Sequence, residues 1–146
     1  HAKKYEFTGE TRPHLGRTLH RIRALVSFGD IAAGDVGGWV EDERNLSHSG
    51  NAWVSDNARV YDNAQVRDNA RVYGNARVSG DALVCCDARV SGDALVSGGA
   101  VVSGGAHVYG NAWVSGNARV SGNALVSGGA VVSGGAEMSN EAEATQ

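Results

Sequence analysis

The side chains best suited to chemistry recur at one regular interval along the chain. His107, the last of five histidines, follows Arg89 at the same interval at which Arg89 follows Arg71. A neutral imidazole can serve as a general base, and guanidinium groups pair with phosphates and carboxylates. Tyr73 and Tyr109 stand two positions beyond this series and add aromatic rings for stacking. These five residues form the candidate site for a small anionic ligand or a glycan, and His107 is the one candidate catalytic residue.

The interval equals three copies of a six-residue phrase that fills residues 51–140 fifteen times without an insertion. In a phrase such as Ala-Arg-Val-Ser, side chains alternate as in a strand, so alanine and valine face a core while arginine and serine face outward. Glycine, aspartate or asparagine then favours a corner. The apolar positions do not fall at helical intervals, and hairpins would need tighter turns between antiparallel strands. The phrase therefore predicts an all-β parallel solenoid.

Started at valine, the phrase reads V-S-G-N-A-R and resembles the hexapeptide repeat of left-handed parallel β-helices. That resemblance implies three hexapeptides per coil, stacking of equivalent residues in every third hexapeptide, and the left hand. The lead-in at residues 28–54 contains Gly-Gly-Trp-Val, Asn-Leu-Ser and a Trp-Val rung in that order. It resembles YdcK-type hexapeptide-repeat proteins and their phage and prophage relatives. We therefore expect a left-handed β-helix of about five coils over residues 51–146.

Residues 1–50 differ in kind and are expected to form a small β cap, because the first coil of a solenoid exposes its core and its strand edges. His1 is expected to be a cloning remnant. Tyr5 and Phe7 alternate with polar residues and predict a half-buried strand. Residues 9–16, which include a proline, predict a loop, and residues 18–26 predict a second strand.

The composition indicates one soluble domain, with 42% apolar residues and a net charge of -3. No apolar run predicts a membrane span, and no basic field predicts nucleic-acid binding. The adjacent Cys85 and Cys86 are poorly placed for a structural disulfide and lack a second pair for a metal site. We expect reduced thiols, a cytoplasmic setting (the host cytoplasm for a phage-encoded chain), and neither metal nor cofactor.

Three functions remain open at this point. Many β-helices of the resembled superfamily are acyltransferases that use acetyl-coenzyme A or an acylated carrier, with a histidine as general base between the subunits of a trimer. The resemblance makes this activity, with His107 as base, one alternative, although residues 51–140 contain no extruded loop to build a pocket. A ligand-binding module is the second alternative. The primary expectation is a non-catalytic scaffolding rod.

Self-association is expected through an outward apolar column. Leu95, Trp113 and Val131 occupy equivalent positions in every third hexapeptide and should stack on one side of the helix. Leu83 and Val101 should form a similar pair on the next side. Because a contiguous apolar patch on a polar surface marks association, these residues predict a parallel homotrimer, with a dimer as the second choice.

Overall fold

Each hexapeptide contributes a two-residue strand whose second residue faces the interior. The computed structural model describes residues 3–146, so His1 and the expectation for it lie outside the described residues. The regular strands are β4 (Trp53–Val54), β5 (Arg59–Val60), β6 (Gln65–Val66), β7 (Arg71–Val72), β8 (Arg77–Val78), β9 (Leu83–Val84), β10 (Arg89–Val90), β11 (Leu95–Val96), β12 (Val101–Val102), β13 (His107–Val108), β14 (Trp113–Val114), β15 (Arg119–Val120), β16 (Leu125–Val126), β17 (Val131–Val132), β18 (Glu137–Met138) and β19 (Glu143–Ala144).

These strands stack in parallel, and each pairs with the strand three hexapeptides away, as expected. Val72 pairs with Val90, and Val90 pairs with Val108. The strands fall into three sheets because every third hexapeptide joins the same side of the coil. The all-β parallel β-helix with three hexapeptides per coil is therefore confirmed, and the left hand stays a prediction of the resemblance.

Small apolar side chains from all three sheets fill the interior. The alanine and the valine of each hexapeptide from residue 51 to residue 134 are buried, as Ala88 and Val90 show in the middle of the chain. Backbone groups are satisfied between coils, for example where Leu95 N donates to Ala112 O at 3.0 Å. Alanine and valine are compact enough for the three sheets to approach closely, and this packing explains why the repeat tolerates so little variation at these two positions.

The corners require a left-handed backbone, which glycine adopts without steric cost. Gly98 has φ +62°, and a Cβ atom added there would lie 2.8 Å from the carbonyl oxygen of Gly116 in the next coil. Asp62 adopts the same conformation with φ 60°. Its carboxylate accepts a hydrogen bond of 2.9 Å from the backbone N–H of Gly80 one coil later. An aspartate is therefore accommodated at a corner where its carboxylate can bond to the neighbouring coil.

Substitution by alanine should have a large effect on stability at one of two adjacent corner glycines and a small effect at the other. We expect Gly98→Ala to lower the free energy of unfolding by about 2 kcal/mol, because alanine is strained at positive φ and its Cβ would meet backbone. Gly99→Ala should change it by less than about 0.5 kcal/mol. Gly99 lacks a positive φ. Its added Cβ would lie 2.9 Å from the side-chain oxygen of Asn117, which can rotate away, and at an ordinary contact distance of 3.7 Å from the carbonyl oxygen of Gly116. Urea titrations of both variants test this, and equal losses would contradict the corner geometry.

The N-terminal region is a β-hairpin followed by a strand that enters the solenoid. Strands β1 (Tyr5–His14) and β2 (Arg17–Ala24) are antiparallel. Strand β3 (Val36–Val40) is antiparallel to β2 and parallel to β5. A 3₁₀ turn at Glu43–Asn45 follows, and Leu46 bridges to Val66. Parallel pairing thus begins within the segment expected to be a cap, and the solenoid completes about six turns.

The loop predicted for residues 9–16 is wrong, because strand β1 continues to His14 and only Leu15 and Gly16 form the turn. Gly9, at φ +97°, lies in the stretch where the register of the hairpin shifts. Pro13 is tolerated because β1 is the edge strand of its sheet. The strand predicted for residues 18–26 is confirmed as β2, which ends at Ala24.

The two ends of the hairpin contact different parts of the solenoid. Near its open end, Tyr5 and Ile22 join the main core. At its tip, Leu19 packs with Trp39 and Tyr61 in a separate buried cluster. Trp39 is in register with Arg59 on the outward side of β5. The tip of the hairpin therefore folds over the outer face of the first coils. No helix in residues 3–146 is long and apolar enough to cross a membrane.

Candidate functional site

The structure places the predicted ligand-binding residues on one sheet. Arg71, Arg89 and His107 are in register on β7, β10 and β13. Tyr109 follows His107 by two positions, and the centroids of the two rings are 4.5 Å apart. Tyr73 occupies the equivalent position after Arg71 and lines a groove with both arginines. The parallel register alone brings these side chains together, as the spacing of three hexapeptides requires.

An acidic residue outside the repeat occupies part of this groove. Asp30 forms an ion pair with Arg71, and Asp56 also lines the groove, whose volume is about 340 Å³. The hydrogen bond and charge of Arg71 lower the pKa of Asp30. Arg89 lies in the same groove and forms no ion pair with a carboxylate among the described residues. The groove therefore presents two carboxylates beside two guanidinium groups, which weakens its attraction for an anion.

His107 is half-buried and held by a hydroxyl group. Its Nε2 lies 3.0 Å from the Oγ of Ser91. Burial lowers the pKa of His107, and the nearby Arg89 lowers it further. The imidazole is therefore neutral at pH 7, as a general base must be. Within residues 3–146, no carboxylate bonds to its ring to fix the orientation in the manner of a catalytic triad.

The predicted interface residues stack as one column on a second sheet. Leu95, Trp113 and Val131 are in register on β11, β14 and β17. Trp113 is 47% exposed and Val131 is 62% exposed, while Leu95 is half-buried. The indole N–H of Trp113 donates to Ser97 Oγ at 3.4 Å, which orients the ring over the column.

Two further apolar residues lie on the third sheet. Leu83 and Val101 are in register on β9 and β12, and both are half-buried. Counted in coils of three hexapeptides from residue 51, Val101 lies in the coil of Leu95, and Leu83 lies in the coil before it. The outward apolar surfaces on these two sides of the rod therefore overlap along its axis.

The two thiols are free and adjacent. Cys85 Sγ and Cys86 Sγ are 3.1 Å apart, and burial raises the pKa of Cys85 to about 12. Cys85 therefore remains a protonated thiol at neutral pH. With Asp68, the two sulfurs supply three possible metal-ligand atoms within 4.8 Å of one another. A closed structural zinc site takes four protein ligands, so this group is one short.

Sequence reasoning missed a second groove beside the hairpin tip. It has a volume of about 380 Å³ and is lined by Arg12, Asn57, Arg59, Asn75, Arg77 and Asp93. Arg59 and Arg77 hold equivalent positions in successive coils, so the sequence alone predicts that they are neighbours. Arg12 lies in the segment predicted as a loop, so its approach to them could not be read from the repeat.

Comparison with known proteins assigns the repeats. The family model described as the YdcK beta solenoid repeat matches residues 52–68, 70–85, 88–104 and 118–134. These four stretches match the YdcK-type β-solenoid repeat. The matched stretches begin at the first buried alanine of the regular hexapeptides and include strands of all three sheets. The YdcK-type repeat and the parallel coil of three hexapeptides thus describe the same part of the chain.

One curated relative shares a short stretch with this chain. "Uncharacterized acetyltransferase YdcK" of Escherichia coli (strain K12) is 42% identical over 38 residues, which is 26% of this chain and 12% of the relative. The match therefore spans about one eighth of that relative's length. It supports the YdcK-type assignment of the repeats.

Proposed function

We propose that this YdcK-type solenoid is a non-catalytic scaffold, a rigid rod that assembles as a parallel homotrimer. The observation that carries the proposal is the exposed apolar column of Leu95, Trp113 and Val131. Tryptophan is enriched among the residues that dominate binding energy at interfaces. A half-exposed tryptophan between two aliphatic residues is therefore better suited to a protein contact than to water.

The partner in this proposal is a second and third copy of the same chain. Leu83 and Val101 lie on a different side of the rod from Leu95, and Val101 shares the coil of Leu95. In a parallel trimer, each rod presents one side to each neighbour at equal height. The apolar column of one copy then meets the apolar pair of the next, which closes a ring around a threefold axis. A parallel dimer is the second choice.

The catalytic alternative has weaker support. The relative's name describes an acetyltransferase, and the neutral His107 bonded to Ser91 would suit a general base. However, the hexapeptides between residues 51 and 140 follow one another without an extruded loop, so the rod offers no walls for a substrate pocket beside His107. The small-ligand alternative at Arg71 is weakened because Asp30 already pairs with that arginine.

A cytoplasmic setting and a phage or prophage origin complete the proposal. The free thiols of Cys85 and Cys86 favour a reducing compartment. The origin rests on the resemblance of the lead-in residues to phage and prophage relatives.

Trp113→Asp should dissociate the assembly without unfolding the rod. We expect a loss of about 2 kcal/mol for each Trp113 withdrawn from an interface, and a β-rich circular dichroism spectrum unchanged from the wild type. Sedimentation equilibrium of the two proteins measures the association. Leu125→Asp is the matched control, because it introduces the same charge at an outward apolar position on the one sheet that the proposed interface does not use.

Two results would contradict the scaffold proposal. The first is a monomeric wild type, or a Trp113→Asp variant that associates as tightly as the wild type. The second is acetyl-coenzyme A-dependent turnover by the wild type that disappears in His107→Ala.

A further inference from the structure

The groove at the hairpin tip gathers three guanidinium groups from two distant parts of the chain. Arg59 and Arg77 are stacked on β5 and β8. Arg12 reaches the same groove from β1, and its guanidinium lies 4.5 Å from the ring centroid of Trp39. Stacking on the buried indole fixes the plane of the Arg12 guanidinium while its N–H groups remain available. The hairpin thus holds a third positive charge beside the two that the repeat supplies.

The three guanidinium groups outnumber the one carboxylate, Asp93, that lines the same groove. Within the described residues, none of these arginines forms an ion pair, whereas Arg71 on another sheet pairs with Asp30. Arg59 Nη1 donates to His14 Nδ1 at 2.8 Å, so that ring nitrogen accepts and His14 is neutral. Burial lowers the pKa of Arg59, and the charges of Arg12 and Arg77 lower it further. Unpaired like charges held together raise the free energy of the empty groove, and an anion would relieve this.

We propose that this groove is an oxyanion site that binds a phosphomonoester through Arg12, Arg59 and Arg77. Guanidinium groups bind phosphate oxygens through paired N–H donors. Three of them converging on one groove match the charge and the several acceptor atoms of a phosphate dianion. The volume of about 380 Å³ lies in the range of small-ligand sites and exceeds what a bare phosphate fills.

The remaining lining residues indicate what the phosphate is attached to. Asn57, Asn75 and Asp93 occupy successive coils of one corner along the groove. The two amides can donate or accept hydrogen bonds, whereas the Asp93 carboxylate only accepts them. A carboxylate repels a phosphate but binds the hydroxyl group of a sugar or another polyol. The ligand class that fits the groove is therefore a phosphorylated compound with free hydroxyl groups.

Isothermal titration calorimetry of the full chain tests the site, with inorganic phosphate and glucose 6-phosphate as probes at pH 7. We expect the wild type to bind glucose 6-phosphate more tightly than inorganic phosphate. Arg77→Gln should weaken both at least tenfold, the scale of a lost charge-assisted hydrogen bond. Arg119→Gln is the matched control, since Arg119 is an exposed outward arginine on a different sheet. It should leave both affinities unchanged.

Asp93→Asn separates the two parts of the ligand. We expect it to tighten binding of inorganic phosphate, because a repulsive charge is removed, and to weaken binding of glucose 6-phosphate. Arg12→Gln gives an independent test of the hairpin's contribution if Arg77→Gln does not fold, and the same tenfold loss is expected.

The site is refuted if the wild type binds neither probe saturably, or if Arg119→Gln weakens binding as much as Arg77→Gln. Equal binding of the two probes overturns the phosphomonoester and its hydroxyl contact. The proposal does not depend on self-association, so a monomeric wild type that binds glucose 6-phosphate refutes the scaffold alone.

Discussion

Val66→Asp is expected to unfold the chain, with a loss of at least about 4 kcal/mol in the free energy of unfolding. Val66 is buried on β6 and lies between Leu46 and Val84 in neighbouring coils. The variant loses the burial of a valine and places a carboxylate in an interior lined by alanine and valine. An isolated buried charge is far costlier than a missing methyl group, so the coil must open or the carboxylate must take up a proton.

The neighbouring residue supplies the control. Gln65 is exposed on the same strand, and Gln65→Asp makes the same change in charge on the opposite side of the backbone. We expect a change within about 0.5 kcal/mol. Urea unfolding followed by circular dichroism compares the two variants. Similar losses at both positions would contradict the alternation of inward and outward side chains on which the coil depends.

Lys4 should make the stability of the fold depend on pH in the alkaline range. Its ammonium group is buried, donates to Ala52 O at 2.7 Å and lies 4.6 Å from the ring centroid of Phe28. Burial and the charge of Arg71 lower the pKa of Lys4 from 10.5 to about 8. Between these two values the unfolded chain holds a proton that the folded chain has released. The Lys4 contribution to stability therefore rises with pH across this window.

The comparison with Lys4→Met isolates this contribution, because the other titrating groups are common to both proteins. We expect the free energy of unfolding of the wild type, relative to Lys4→Met, to increase by about 3 kcal/mol from pH 7 to pH 11. Chemical denaturation at several pH values measures the difference. Lys3→Met is the control, because it removes the same charge at an exposed neighbouring lysine. A flat difference for Lys4→Met would show that Lys4 is not desolvated in the fold.

The repeat alone predicts the solenoid because the controlling interactions recur in every coil. A buried alanine, a buried valine and a glycine corner are each decided within one hexapeptide, and stacking then follows from the period. The same period places Arg71 beside Arg89 and Trp113 beside Leu95. For these positions, knowledge of the spacing is sufficient to identify the neighbour.

The N-terminal contacts could not be predicted in this way, because each occurs once and joins residues far apart in sequence. Asp30 pairs with Arg71, and His14 lies close to Arg59. In each pair, the first residue belongs to the N-terminal region and the second to the regular coils. The His14 contact depends on how the hairpin tip folds over Trp39, and the Asp30 contact depends on the path of the chain between β2 and β3; no local pattern specifies either. The Asp30 contact alters the predicted ligand site, and the approach of the hairpin creates the arginine groove. The functional surface was therefore less predictable than the core.

The pairing of strands three hexapeptides apart also affects the rate at which the chain can fold. Each strand pairs with partners one coil away, a separation of about one eighth of the chain length. This is short for an all-β protein and falls in the range typical of mixed α/β domains, so the search for partners should be fast. Consecutive coils are nearly identical, however, and a growing coil could dock one register out of place. The hairpin differs from every coil. By contacting Trp39, Ala52 and Arg59, it gives the chain a single starting point from which the correct register propagates.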